Sequence, residues 1–155
     1  MRRTDREITD FDEIVGILNR ADTIRLGLQG EEYPYVVPLS FGFKAEAGAI
    51  ALYFHGAKEG LKHELLRRNP RVCVEAGIFH RYAQVPNGIT TQYESVIGFG
   101  TASLVEGGEA AHGVALLLEH CGYAGFAYDP KALEAMAVYK IALESWTGKR
   151  NMIFA

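Results

Sequence analysis

Strand-forming stretches follow one another across turns too short to hold a helix, and this limits the fold more than any other feature of the chain. Thr23–Leu28 reads as a strand, Gln29–Glu32 as a turn, and Tyr33–Phe43 as a second strand rich in aromatic and β-branched side chains. After a turn at Gly48, Ala49–His55 reads as a third. Strands joined by tight turns pair antiparallel, because a parallel pair needs a long crossover connection. A doubly wound parallel sheet is thereby excluded. Pro34 and Pro38 lack the N–H that a ladder uses, so the second strand lies at an edge or breaks near Pro38.

Helices are few. Asp10 and Glu13 have the spacing of a capping box, and Phe11, Ile14, Val15 and Leu18 continue at helical period to about Arg20. Leu61–Asn69 reads as a helix stopped by Pro70, Arg71–Phe79 as a strand, and Pro86-Asn87-Gly88 as part of a loop. Gln92–Val105 is a long strand. Its Gly98, Gly100 and Ala102 leave room for close approach on one face, while Tyr93 and Phe99 supply aromatic surface on the other. Glu109–His120 is a helix, a short helical piece begins at Pro130, and Ala137–Ser145 is a last strand before a tail that starts at Thr147. The expected fold is α+β: six antiparallel strands in a closed or partly closed β-barrel with peripheral helices. A chain of 155 residues is one domain, spanning 1–155, and buries about two-thirds of its unfolded surface.

Composition narrows the function classes. A net charge of −3 lacks the basic excess of a phosphate-binding surface, so nucleic acid is not expected as a partner. No apolar run is long enough for a membrane span, and no apolar segment follows the charged N-terminus, so neither a membrane nor a secretory route is expected. Cys73 and Cys121 form no Cys-x-x-Cys, which points to a reducing cytoplasm. The five histidines form neither His-x-x-x-His nor His-Glu-x-x-His, so no metal site is expected. Gly-x-Ser-x-Gly is absent, and Cys73 alternates within an apolar strand as a buried thiol would.

Two local features remain. Gly98-Phe99-Gly100 echoes a dinucleotide fingerprint but lies inside a strand, where no helix N-terminus follows to receive a pyrophosphate. Gly56-Ala57-Lys58-Glu59-Gly60-Leu61-Lys62 has the parts of a phosphate cradle: glycines, a helix start and a cation. It is equally an ordinary strand-to-helix turn within a basic cluster of Lys58, Lys62, His63, Arg67, Arg68 and Arg71. His55 ends an apolar strand beside it, either as a hydrogen-bonded rim histidine or as a ligand contact. The residues themselves give a barrel with a candidate anion site and no reaction.

Six stretches taken in order carry a resemblance: Met1–Ile8, Tyr33–Phe43, Leu52–Lys62, Asn69–Cys73, Tyr93–Gly100 and Thr147–Lys149. Together the chain resembles the pyridoxamine 5′-phosphate oxidase-like flavin-binding split barrels, and among them the nitroimidazole-resistance branch. The resemblance implies a homodimer with FMN at its interface. It puts Lys62 on the phosphate, within a loop that includes Gly56, Ala57 and Gly60, and His55 beside the cofactor as the catalytic candidate. Val37, Pro38, Leu39 and Ser40 would bed the flavin ring, with Pro38 freeing backbone groups nearby. Tyr93, Ser95 and Val96 would approach from the partner chain. The chain departs from many relatives at Gly56, where they carry Ser, and at Leu61, where they carry Arg. The implied activity is reduction of a small planar acceptor such as a nitroaromatic, with electrons from a reduced nicotinamide. The alternative is a non-catalytic flavin or haem binder, with His55 as an axial ligand.

Overall fold

A computed structural model describes residues 2–153. After a 3-10 turn at Thr4–Arg6 come β1 (Glu7–Ile8), α1 (Phe11–Arg20), β2 (Ile24–Leu28), β3 (Tyr35–Leu39), β4 (Gly42–Glu46) and β5 (Ala49–Ala57). They are followed by α2 (Leu61–Arg68), β6 (Arg71–Val85), β7 (Gly88–Val105), α3 (Gly107–His120), α4 (Pro130–Ala135) and β8 (Met136–Asn151). The capping box forms at the start of α1, where Asp10 Oδ1 accepts from the Glu13 amide at 2.9 Å.

All strand pairs are antiparallel, in the order β3-β2-β6-β7-β8-β5-β4, with β1 added beside β8. The expected architecture holds, with eight strands in place of six. Tyr33–Phe43 is not one strand but two, β3 and β4, broken at Ser40-Phe41 and not at Pro38. Pro38 sits within β3, which pairs only with β2, so its missing N–H falls on an edge strand as the sequence requires. β6 and β7 form one long hairpin, whose pairing runs to Val85–Gly88 past a register shift between Phe79 and Arg81. β8 extends to Asn151, so Thr147–Lys149 is strand and not tail.

The two ends of the strand order are consecutive in the chain. β3 pairs β2 at one end, β4 pairs β5 at the other, and only Ser40-Phe41 separates them, so the sheet curls until its ends meet. Phe41 is fully buried at that junction against His120, with ring centroids 4.4 Å apart. Inside the barrel lie Leu26, Leu52, Phe54, Val74, Val96 and Ile141, and Ile14, Ile17 and Leu18 of α1 belong to the same core. A smaller apolar cluster of Ala110, Val114 and Val138 joins α3 to the outer face of β8. Gly148 marks a close approach of α1 and β1 to β8: a Cβ there would lie 2.5 Å from Ile14 Cδ1 and 2.8 Å from Ile8 Cβ. Gly98, Gly100 and Ala102 are buried. A Cβ at Gly98 would meet Leu143 Cδ1 at 3.0 Å, so it relieves crowding within the sheet and does not receive a partner.

One charge cluster ties distant elements. Glu94 of β7 is buried and accepts from Arg20 of α1 at 2.8 Å, from Arg150 of β8 at 2.7 Å, and bonds His80 of β6 at 3.1 Å. Arg150 also reaches Glu13 at 2.7 Å. Burial pushes the Glu94 carboxyl up, but the three donors outweigh it and hold it below its ordinary value. A depressed folded-state value contributes stability that is full above pH 4.5, the ordinary value, and is lost as pH falls through the depressed one. Glu94→Gln is therefore expected to cost about 2–3 kcal/mol at pH 7, less than a fully buried pair because both guanidinium groups reach water. Urea denaturation at pH 7 and pH 3.5 checks it: the gap between wild type and variant should shrink in acid, and an equal gap at both pH values would refute the assignment.

Candidate functional site at the barrel split

The strand pairing itself leaves an opening. β4 and β5 pair only as far as Gly42 and Tyr53. Carrying that register past Gly42 would set Ser40 opposite His55 and Leu39 opposite Gly56, yet no pairing continues there. β3 turns away to β2, and Phe54–Ala57 pair only with β8. Two strand edges thus part, and each keeps backbone N–H and C=O groups that no neighbouring strand satisfies. The residues on the two lips are those the sequence singled out, Val37–Ser40 and His55–Ala57.

Alternation decides what each lip presents. Val37 and Leu39 pack on the core, so Pro38 and Ser40 face outward and are exposed. On β5, Phe54 is fully buried and belongs to the barrel core, and Tyr53 lies against Gly113 and His112 of α3 on the outer face. His55 shares that outer face and is paired with Val138. Gly56 shares the inner one with Phe54.

Lys62, in the first turn of α2, folds back over the inner face. Its Nζ lies 5.2 Å from the Phe54 ring centroid and 2.8 Å from where a Gly56 Cβ would be. It has no carboxylate partner among the described residues, and burial pushes its ammonium down. The rest of the basic cluster is dispersed: Arg68 pairs with Glu31 at 2.5 Å, and His63 bonds the Tyr139 hydroxyl. Lys62 is therefore the cation the split holds. Desolvation, and then the Lys62 charge, hold His55 below the ordinary imidazole value, so at neutral pH its ring is a neutral donor and acceptor. His63, His80 and His120 are held in hydrogen bonds, the last to the Ala21 carbonyl at 2.8 Å, while His55 has none among the described residues.

Gly60, at φ +116°, has the backbone conformation that suits glycine as the loop enters α2. Tyr93, Ser95 and Val96 are not on the lips. Tyr93 and Ser95 lie on the outer face of β7, with the Lys149 Nζ 5.8 Å from the Tyr93 ring. Val96 is 2% exposed inside the barrel, so its side chain is not available to a ligand from another chain. What the sequence did not show is the support beneath Lys62. Phe54 stacks on Tyr139 with centroids 5.2 Å apart and planes 12° apart, and Tyr139 holds His63, the residue after Lys62. β8 brings Tyr139 there from far along the chain, and no local spacing signals that.

Comparison with known proteins agrees with this geometry. The chain is similar in fold and sequence to a protein assigned to 5-nitroimidazole antibiotic resistance from Bacteroides thetaiotaomicron. The identity is 30% over 92% of this chain and 85% of that one, with a TM-score of 0.82. The flavocytochrome Anf3 of Azotobacter vinelandii shares the fold, with a TM-score of 0.80 at 19% identity over 99% of this chain and 72% of that one. So does an FAD- and haem-binding protein of Mycobacterium smegmatis, with a TM-score of 0.78 at 19% identity over 96% and 75%. A comparison with curated proteins returns no match. The family model described as pyridoxamine 5′-phosphate oxidase matches residues 10–150, nearly the whole barrel including both lips and the Lys62 turn. With that match spanning residues 10–150 of an antiparallel split barrel, the chain belongs to the pyridoxamine 5′-phosphate oxidase family of flavin-binding split barrels.

Proposed function

We propose that the protein is an FMN-dependent oxidoreductase that reduces a small planar acceptor, such as a nitroaromatic, with electrons from a reduced nicotinamide. The observation that carries this reading is the half-buried Lys62 ammonium at the split, without an anionic partner among the described residues. A phosphate there restores the charge balance that burial disturbs. Gly56 and Ala57 supply backbone at the same end of β5. The unpaired edges of Val37–Ser40 and His55–Ala57 offer the row of donors and acceptors that the polar edge of a flavin needs. FMN would supply the hydride and electron chemistry, which accounts for a site with no nucleophile and base pair. His55, neutral and exposed on the outer lip, is placed to orient an acceptor and exchange a proton with it.

A second copy of the chain would complete the site. A flavin lying on the lips of one barrel keeps much of its surface in water, whereas small ligands are normally buried over most of theirs. The outer face of the β6–β7 hairpin is apolar and open: Phe79 is 60% exposed, Ile97 41% and Phe99 55%. Tyr93 and Ser95 share the outer face of β7 with Ile97 and Phe99, consistent with their approach to a partner's flavin.

The free, neutral His55 also supports a second reading, a carrier in which this ring ligates haem. The visible spectrum of protein freed from unbound flavin separates the readings: flavin bands are expected, alone or after adding FMN. A Soret band would move the assignment to haem, and a colourless protein that fails to quench FMN fluorescence would overturn both. Lys62→Ala should weaken FMN by about 1–3 kcal/mol and leave riboflavin, which lacks the phosphate, unchanged. An equal loss for both ligands would remove Lys62 from the phosphate. Light scattering is expected to give twice 17.1 kDa, with FMN favouring the dimer, because a ligand that binds only the dimer shifts association toward it. A persistent monomer that binds FMN tightly would show that one chain completes the site.

A further inference from the structure

Around the first residues of β8, next to the α2 turn that carries Lys62, lies a cleft of about 540 Å3, within the usual range for small-molecule sites. It opens between the starts of α2, α3 and β8, with α4 as a wall. Its floor wraps the strand end: Val138 and Ala110 come from the small outer cluster and Ala137 from the barrel core. Leu104, Leu133 and Met136 make its apolar sides, and Leu104 is 49% exposed although it lines a concave surface.

Two donors border that apolar surface. Lys58 has no carboxylate partner among the described residues, despite Glu106 and Glu134 lining the same cleft. His63 is fixed by Tyr139. The Tyr139 hydroxyl is buried, burial keeps it protonated, and His63 Nδ1 is its one acceptor among the described residues. A buried tyrosine hydroxyl donates to such an acceptor, which leaves the His63 proton on Nε2 as a free donor. An acceptor head group thus has two donors to meet, and an apolar body has a floor to cover. A second negative charge would meet Glu106 or Glu134 instead.

We infer that this cleft is a second binding site, for a small monocarboxylate with a compact apolar body. It stands on the cleft's own residues and does not depend on what the split binds. Titration of the 15N-labelled protein with hexanoate, 1-hexanol and adipate tests it. Hexanoate should give saturating amide shifts confined to Leu104–Ala110 and Leu133–Val138. Hexanol, without the charge, and adipate, with a second one, should each bind about tenfold more weakly or worse, the scale of a charge-assisted hydrogen bond. Lys58→Ala alters an exposed loop side chain and should weaken hexanoate about fivefold while leaving hexanol unchanged. Leu104→Asp should abolish binding of both. The inference is overturned if hexanol or adipate binds as well as hexanoate, if the shifts map elsewhere, or if Lys58→Ala leaves hexanoate affinity intact.

Discussion

The structure turns on the point where one strand changes partners. Within residues 35–46 only Ser40-Phe41 separates two strands, yet the first bonds β2 and the second bonds β5. Phe41 fixes that change of partner. It is fully buried, stacks near Phe43 at 6.1 Å, and meets His120, whose ring also packs on Phe43 and bonds the Ala21 carbonyl at the end of α1. An aromatic side chain buried at the break supplies packing where ladder hydrogen bonds are lost. The ladder closes on one side of Phe41 and parts on the other, where Val37–Ser40 and His55–Ala57 form the two lips.

An open lip carries a cost that the protein meets in two ways. Unpaired strand edges invite pairing with other chains, and β3 limits this with Pro38 and with its short length. The inner lip holds a cation without an anion, and its support is aromatic: Lys62 lies over Phe54, which stacks on Tyr139. Gly56 belongs to the same arrangement. With no side chain at Gly56, the Lys62 ammonium reaches to within 2.8 Å of where a Cβ would be. A serine at that position would push the ammonium aside. The glycine and the lysine position therefore depend on each other.

Local chemistry was legible in the sequence, and long-range chemistry was not. The Asp10 cap, the stop before Pro70, the edge character of the Pro38 strand and the glycine turn into α2 all depend on a few neighbouring residues, and each is found in the structure. The break between β3 and β4 was missed, because Ser40-Phe41 contains no residue that forbids a strand and only the barrel's closure forces the strand apart there. The hairpin of β6 and β7 was read as too short. Its outer half, Arg81–Val85 with Gly88–Thr91, mixes polar and apolar residues and has no buried residue, so no face of it shows the alternation of a core strand. The inward turn of Gly98 and the burial of Val96 were hidden because they depend on which face of β7 meets the barrel, a matter of register with β8. Glu94 gave no signal at all: its three partners come from α1, β6 and β8.

Those two buried polar systems divide the molecule by function. Glu94 is a charge fully met within the chain, with two guanidinium groups and an imidazole on one carboxylate, and it joins the helix, the hairpin and the last strand into one unit. Lys62 is a charge the chain leaves unmet. A paired buried ion holds structure, because removing either partner strands the other. An unpaired, half-buried ion has only water to meet its charge, and burial disfavours its charged form. The rigid end of the barrel therefore supports the open one. The Glu94 cluster and the α1 packing fix β7 and β8, β8 carries Tyr139, and Tyr139 holds both the ring beneath Lys62 and the residue that follows it. A ligand phosphate at the split would meet an ammonium already held in position by that chain of contacts, so little of its binding free energy would go into ordering the lysine.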